Sequence, residues 1–344
     1  MHSLEKLLET YDYTLPEELI AQNPATPRDS SRLLVYERKN KEIFWDNFKN
    51  LTNYLPKNSV LIFNKTKVLP ARLTITKPTG GLAKILYIKN DKNLIIFLSN
   101  KQLKIGAIIN LNKKIFFEVK RKIGKKYLLK PSFNIKDIFK ILEKYGDSPL
   151  PPYIKKTSLT KRDLKKRYQT VFAEKLGSVA VPTASLHFTK NLLNKIKKAG
   201  HDIKFITLHV NLGTFAPLTE ENIRTGLLHE EYYEIDKKTA EFINKAKKEK
   251  RPIIAVGTTS ARTLESATKS NKLTNLRAGT KLFIRNNYKF KTVDGLITNF
   301  HVPQSSLLML VASFTSRDKI LDLYKRAIKK RFRFFSFGDG MLIL

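Results

Sequence analysis

The chain has 344 residues, 42% of them hydrophobic, with 65 Lys and Arg against 30 Asp and Glu, a formal charge of +35. Its apolar share is ordinary for a folded protein, its length suits two domains, and so large a cationic excess favours a polyanionic partner. Cysteine is absent, which excludes disulfides, thiolate catalysis and cysteine-held zinc or iron–sulfur centres.

Abundant lysine, asparagine and isoleucine are also what an AT-rich genome produces, so the charge supports nucleic-acid binding without establishing it. No run approaches the roughly 20 apolar residues of a membrane span. The start, Met1-His2-Ser3-Leu4-Glu5-Lys6, lacks a basic-then-apolar order, so a soluble cytoplasmic protein without a membrane partner is expected. Neither a His-x-x-x-His pair nor a carboxylate cluster occurs, and no metal is expected.

Pro16 and the acids behind it predict a short helix that Asn23-Pro24 ends. Strands are predicted at 31–36 and 59–63. The texture then changes to six short β-type runs, at 68–75, 83–88, 94–98, 107–111, 115–119 and 127–129, with glycine and Asn-Asp turns between them. Beyond Pro149-Leu150-Pro151-Pro152, a stiff connector, helix and strand patterns alternate again. The expected fold is therefore an α/β main domain with an inserted small all-β, barrel-like domain. The first is discontinuous, residues 1–67 plus 149–344, and the second is 68–148.

The connector leads into the basic run Lys161-Arg162-Asp163-Leu164-Lys165-Lys166-Arg167-Tyr168. Cations interleaved with an aromatic suit phosphate contact plus base stacking, which makes Lys165, Lys166, Arg167 and Tyr168 candidate RNA-binding residues; the competing reading is a solvated charged helix. Further on, His187 follows the apolar run ending at Leu186. His209 stands at the end of a predicted strand whose one face carries Ile203, Phe205, Thr207 and His209. Ligands of open α/β sheets collect beyond such ends.

The strand 252–256 is followed by Gly257-Thr258-Thr259-Ser260 and then a helical pattern with Arg262 in its first turn. That unit would expose helix amides to an anion, and Arg262 there opposes the dipole unless it pairs with Glu265. A third unit sets His301 between the strand 295–299 and a helix that starts near Ser306. No G-x-G-x-x-G, P-loop or G-x-S-x-G pattern is present. Two classes stand on these features alone: a non-catalytic RNA-binding protein and a small-molecule nucleotide or phosphate enzyme.

The blocks Tyr11-Asp12-Tyr13 to Gln22, Pro27-Arg28-Asp29-Ser30-Ser31-Arg32, Phe63-Asn64 to Leu73, Pro149 to Ile154 and Arg167 to Phe172 occur in this order. They continue through 181–189, 207–215, 256–266, 298–309 and Arg333-Phe334-Phe335-Ser336-Phe337-Gly338-Asp339-Gly340-Met341. Together they resemble the S-adenosylmethionine:tRNA ribosyltransferase-isomerase family of queuosine biosynthesis. The sequence departs from the family pattern where Lys65 and Lys67 stand for Asp and Arg, Ser185 for Gly, and Lys84 for an acid.

The resemblance implies transfer and isomerisation of the ribosyl moiety of S-adenosylmethionine, a consumed co-substrate, onto 7-aminomethyl-7-deazaguanine at the tRNA wobble position. The products are epoxyqueuosine-tRNA, adenine and methionine. The implied partner is a tRNA anticodon loop carrying the deazaguanine precursor, and a monomer is expected. The sulfonium acidifies its C5′ hydrogens, so a base is needed, and adenine departure benefits from an acid; His187, His209 and His301 are the catalytic candidates. Asp12, Arg28, Asn64, Arg72, Thr183, Thr214, Thr258, Thr259, Arg262 and Asn299 are the substrate-binding candidates, with Asp12 and Glu231 open as carboxylate partners. His187 and His209 are expected to share one pocket with Arg262 and the Thr258-Thr259 turn.

Overall fold

Alternation along the strands decides the layers of this protein. The computed structural model describes residues 4–210 and 217–344, so Thr214 lies outside the described residues. A first helix, α1 (Leu4–Glu9), precedes a single 3-10 turn, Glu17–Leu19, at the place where Pro16 predicts a short helix. Strands β1 (Arg32–Glu37), β2 (Glu42–Asn47), β3 (Val60–Asn64) and β4 (Thr66–Val68) follow.

Six further strands come next: β5 (Arg72–Thr76), β6 (Leu82–Asp91), β7 (Leu94–Ser99), β8 (Ile108–Asn110), β9 (Phe116–Ile123) and β10 (Lys126–Pro131). They close into an antiparallel barrel in the order β10-β7-β6-β5-β8-β9. Leu73, Ile75, Ala83, Ile85, Phe97, Phe117, Val119 and Leu129 point inward and form its core, as period-two alternation requires. The sequence places six strands here, and six are found. The first begins later than expected: Val68 belongs to β4, which pairs with β11 (Lys175–Ser178) outside the barrel, and Pro70, with no amide hydrogen, separates the two.

The remaining elements are α2 (Ile138–Tyr145), α3 (Lys161–Arg167), α4 (Lys190–Lys198), β12 (Asp202–Leu208), α5 (Glu220–Thr225), β13 (Leu227–Glu234) and α6 (Lys237–Lys248). After them come β14 (Ile253–Val256), α7 (Thr258–Ala267), the two-residue strands β15 (Thr268–Lys269) and β16 (Lys272–Leu273), β17 (Arg277–Leu282) and β18 (Gly295–Asn299). The chain finishes with α8 (Ser306–Ala312), α9 (Arg317–Lys329) and β19 (Gly340–Ile343).

Nine strands drawn from both flanks of the barrel form one sheet, ordered β17-β13-β12-β3-β14-β18-β19-β1-β2. Val60, Ile62, Ile206, Leu208, Ile253, Ala255 and Leu296 face α6, α7, α8 and α9, whose Ile243, Leu264, Leu310 and Leu323 cover them. Leu61, Phe63, Ile254, Val256 and Ile297 face the other way, onto Phe48, Phe188 and the α4 residues Leu192 and Ile196. Each sheet face is thus sealed by its own helices, and the strands, buried on both sides, read as continuous apolar runs.

Candidate active site

The strands β12, β3, β14 and β18 run parallel. The helix α4, on the way from β3 to β12, packs on one face of the sheet, and α7, which leaves β14, packs on the other. The connections therefore part between β3 and β14, the switch point at which α/β sheets bind ligands. A cavity of ≈ 430 Å³ lies there, among Thr183, Val210, Gly257, Thr258, Thr259, Thr298, Asn299 and His301. No charged side chain lines it among the described residues.

Gly257 makes the turn into this cavity. Its φ of 90 with ψ of 151 is a conformation side-chain-bearing residues rarely adopt. The helix then starts at once: Thr258-Thr259-Ser260 are its first turn rather than a separate loop. The hydroxyls permit this by bonding inward, Ser260 Oγ donating to Val256 O at 2.9 Å and Thr263 Oγ1 to Thr259 O at 2.8 Å. Asn64, at the end of β3, bolts the neighbouring end in place. Its amide donates to Leu208 O (3.0 Å) and Thr259 Oγ1 (3.3 Å), and its carbonyl accepts from the amides of Thr66 and Leu208.

Because α7 begins at Thr258, Arg262 lies one turn in. Both sequence readings of it need correction. It neither faces the cavity nor pairs with Glu265; its guanidinium meets Glu231 of β13 and donates to Leu282 O. Glu265 instead accepts from the amides of Lys291, Thr292 and Val293 and from Tyr288.

At the end of β18, alternation splits the polar residues between the two faces. Asn299 turns towards the 3-10 helix Thr183–His187, where its Nδ2 donates to Phe335 O at 3.1 Å and lies 3.3 Å from His187 Nε2. His187 is 4% exposed, stacked on Phe48 at 4.0 Å between ring centres, with Nδ1 2.7 Å from Ser31 Oγ. The Ser31 hydroxyl hydrogen goes to Arg28 O at 2.9 Å, so Ser31 accepts from His187 Nδ1–H. The imidazole is therefore neutral and presents its Nε2 lone pair to Asn299. Burial first, then the cations Arg333 and Arg28, pull its pKa down to about 3.

His301 does line the cavity. Its backbone is pinned, the amide donating to Tyr324 and the carbonyl accepting from Tyr13, while Nε2 stands 3.4 Å from Thr298 Oγ1. Its Nδ1, like Asn299 Oδ1, has no partner among the described residues. Burial lowers its pKa to about 4, so this ring too is neutral at physiological pH.

The expected pocket shared by His187, His209, Arg262 and the two threonines is not formed. His209 lies behind it, with Nδ1 2.9 Å from Thr66 Oγ1, and its pKa is lowered mainly by burial. Gly177 admits it there: a Cβ on Gly177 would stand 2.8 Å from the His209 ring. Arg28 caps the basic helix α3, donating to the carbonyls of Gln169 and Arg167. Arg72 lies at the start of the barrel in a separate cleft with Lys84, and Asp12 is exposed, accepting from the Tyr13 amide.

On α3, Lys165 donates to Glu143 O and Arg167 to Ala25 O and Thr26 Oγ1. Lys166 is exposed, as is Arg162. Tyr168 does not fit the stacking role expected of it: it is buried edge-on against Phe337, with its hydroxyl sealed from solvent.

Sequence reasoning missed the cavity residues Tyr153, Gln304, Phe335 and Ser336. Phe335 and Ser336 arrive only because β19 pairs with β18, a contact of long sequence separation. One local signal marks them afterwards. Gln304 (φ 55) and Phe335 (φ 69) are non-glycine residues in the left-handed region, and such backbone clusters at functional sites.

The sequence profile of a family described as queuosine biosynthesis protein matches residues 8–343. A protein of Fusobacterium nucleatum named S-adenosylmethionine:tRNA ribosyltransferase-isomerase is 47% identical over 98% of this chain and 96% of its own length. Proteins of the same name from Carboxydothermus hydrogenoformans and a Sulfurihydrogenibium species are 44% and 46% identical, over 98% of this chain and 99% of theirs. The crystal structure of an S-adenosylmethionine tRNA ribosyltransferase from Thermotoga maritima superposes with a TM-score of 0.55 at 32% identity, covering 97% of this chain and 100% of that one.

Proposed function

The chain belongs to the queuosine biosynthesis protein family, and from that premise we propose that it is a tRNA-modifying transferase-isomerase. It takes the ribosyl moiety of S-adenosylmethionine, isomerises it and attaches it to 7-aminomethyl-7-deazaguanine at the wobble position. Epoxyqueuosine-tRNA, adenine and methionine leave. The protein works as a cytoplasmic monomer on the anticodon loop, whose unpaired bases can be read without opening a duplex. Residues 68–148 act as an inserted domain within the α/β body.

The observation that carries this reading is the ≈ 430 Å³ cavity at the switch point, of a size suited to a nucleoside-sized ligand and edged by hydroxyl, amide and imidazole groups. His301 is the imidazole that meets the ligand: neutral, with an Nδ1 that has no partner among the described residues, it can take or lend a proton at the reacting carbon or the departing base. His187 and His209 act through other residues, the first through Asn299 and the second through Thr66 and Asn64. Thr183, Thr258 and Thr259 supply hydroxyls to the ligand. Lys166, with Lys165 and Arg167 beside it, meets RNA phosphates.

The test is to incubate the protein with S-adenosylmethionine and tRNA bearing the deazaguanine precursor, and to follow free adenine by chromatography. Adenine should appear only with the precursor-bearing tRNA. Its absence there, or its equal release with tRNA lacking the precursor, would contradict the reading.

A further inference from the structure

Asn299 is a cavity residue whose side-chain amine is held from behind. Phe335 O can only accept, so it fixes which end of the carboxamide is the amine. His187 Nε2, whose other nitrogen gives its hydrogen to Ser31, accepts from the same amine. Phe48, stacked on the imidazole, stops the ring from turning. Both restraints act on the NH₂ end, and the carbonyl oxygen has no partner among the described residues although the residue is 2% exposed. A buried acceptor left alone costs about 1–3 kcal/mol, a cost that a ligand donor would remove.

Resting on the cavity as the S-adenosylmethionine site, we propose that Asn299 Oδ1 is a specificity-determining acceptor for a neutral N–H or O–H donor on the nucleoside part of the ligand, and that His187 is the positioning residue that aims it. The absence of charged side chains among the described lining residues fits the uncharged nucleoside rather than the amino-acid end. An adenine nucleoside offers two sources of such a donor, the 6-amino group and the ribose hydroxyls. The shared requirement is a hydrogen to give. Turned the other way, the amide would present donors and favour a different ligand edge, so the Ser31–His187–Asn299 chain selects between them.

The experiment measures binding by calorimetry in the presence of precursor-bearing tRNA. S-adenosylhomocysteine, adenosine, purine riboside (no 6-amino group), 2′-deoxyadenosine and 3′-deoxyadenosine are the probes. On the wild-type protein one of the three trimmed nucleosides should bind about three- to tenfold more weakly than adenosine, the worth of one neutral hydrogen bond. Which one it is identifies the donor. In Asn299→Ala that difference should vanish. His187→Ala should weaken adenosine by a similar factor, and His187→Ala with Asn299→Ala should lose no more than either alone. His187→Gln, which can place an acceptor where Nε2 stands, should restore most of the affinity. Adenosine binding that is indifferent to all three trims would overturn the inference while leaving the cavity reading intact. Equal losses in His187→Gln and His187→Ala would mean that the ring matters for packing alone. If neither adenosine nor S-adenosylhomocysteine binds, the cavity reading itself fails.

Discussion

Arg262 and Glu231 form an ion pair inside the protein, their side chains 5% and 1% exposed. It ties α7, whose first turn walls the cavity, to β13 at the side of the sheet. Removing one partner strands the other charge where water cannot reach it. Arg262→Met and Glu231→Gln are each expected to lower unfolding free energy by about 3–5 kcal/mol. Arg262→Met combined with Glu231→Leu should lose clearly less, because no charge is left behind. Urea unfolding of the four proteins measures this.

The histidine environments set the acid limit of the fold. His187 and His301 hold pKa values of about 3 and about 4 when folded, against 6.5 for an ordinary histidine. The unfolded chain therefore binds more protons below 6.5. Their contribution is complete above that value and is lost as pH falls, to about 4 for His301 and about 3 for His187. Stability should drop by up to about 1.4 kcal/mol per pH unit for each ring in that window. Urea midpoints at pH 7.5, 6 and 5 should fall progressively, and His187→Gln should shallow the decline. An unchanged decline would show that His187 is not buried neutral.

Much of the fold was legible in the residues, and less of the site. The barrel showed itself because short runs with frequent turns have their own period, β12 because its two faces alternate, and β14 because its apolar run is continuous. His301 and the Thr258-Thr259 step were readable from their place after such strands. His187, His209 and Arg262 stand at similar places in the sequence yet serve the wall from behind. What separates them is which face the strand end turns to the ligand, and that depends on β19 and β13, which the local pattern does not announce. Tyr168 misled in the same way: basic neighbours suggested a surface aromatic, while Phe337, far away in sequence, buries it.

Ser185 sits in the 3-10 helix Thr183–His187. It does not occupy a left-handed backbone, so the side chain adds no backbone strain. It is fully buried, and its hydroxyl has no partner among the described residues. Ser185→Ala is expected to raise stability by about 1 kcal/mol, the desolvation cost of an unmet hydroxyl, with little effect on ligand affinity. A melting temperature that falls would mean that the hydroxyl is bonded.

The basic helix makes a sharper prediction now that its cations are sorted. Lys161 is paired with Asp147, and Lys165 and Arg167 are bonded to the protein's own carbonyls, which leaves Arg162 and Lys166 facing solvent. If both meet phosphates of a single-stranded loop, Arg162→Glu with Lys166→Glu should flatten the log–log salt dependence of tRNA binding by about 1.4, at ~0.7 per contact. Wild-type slope and affinity in that variant would assign the helix to ordinary solvated surface.

In the proposed reaction, ribosyl carbon leaves S-adenosylmethionine for RNA. Two preparations of the co-substrate, one labelled in the ribose and one in the methyl group, should be given separately to the protein with precursor-bearing tRNA. Ribose label should enter the RNA, methyl label should not, and His301→Ala should abolish most of the incorporation while tRNA binding persists. Methyl label in the RNA, or ribose label recovered only in small molecules, would contradict it.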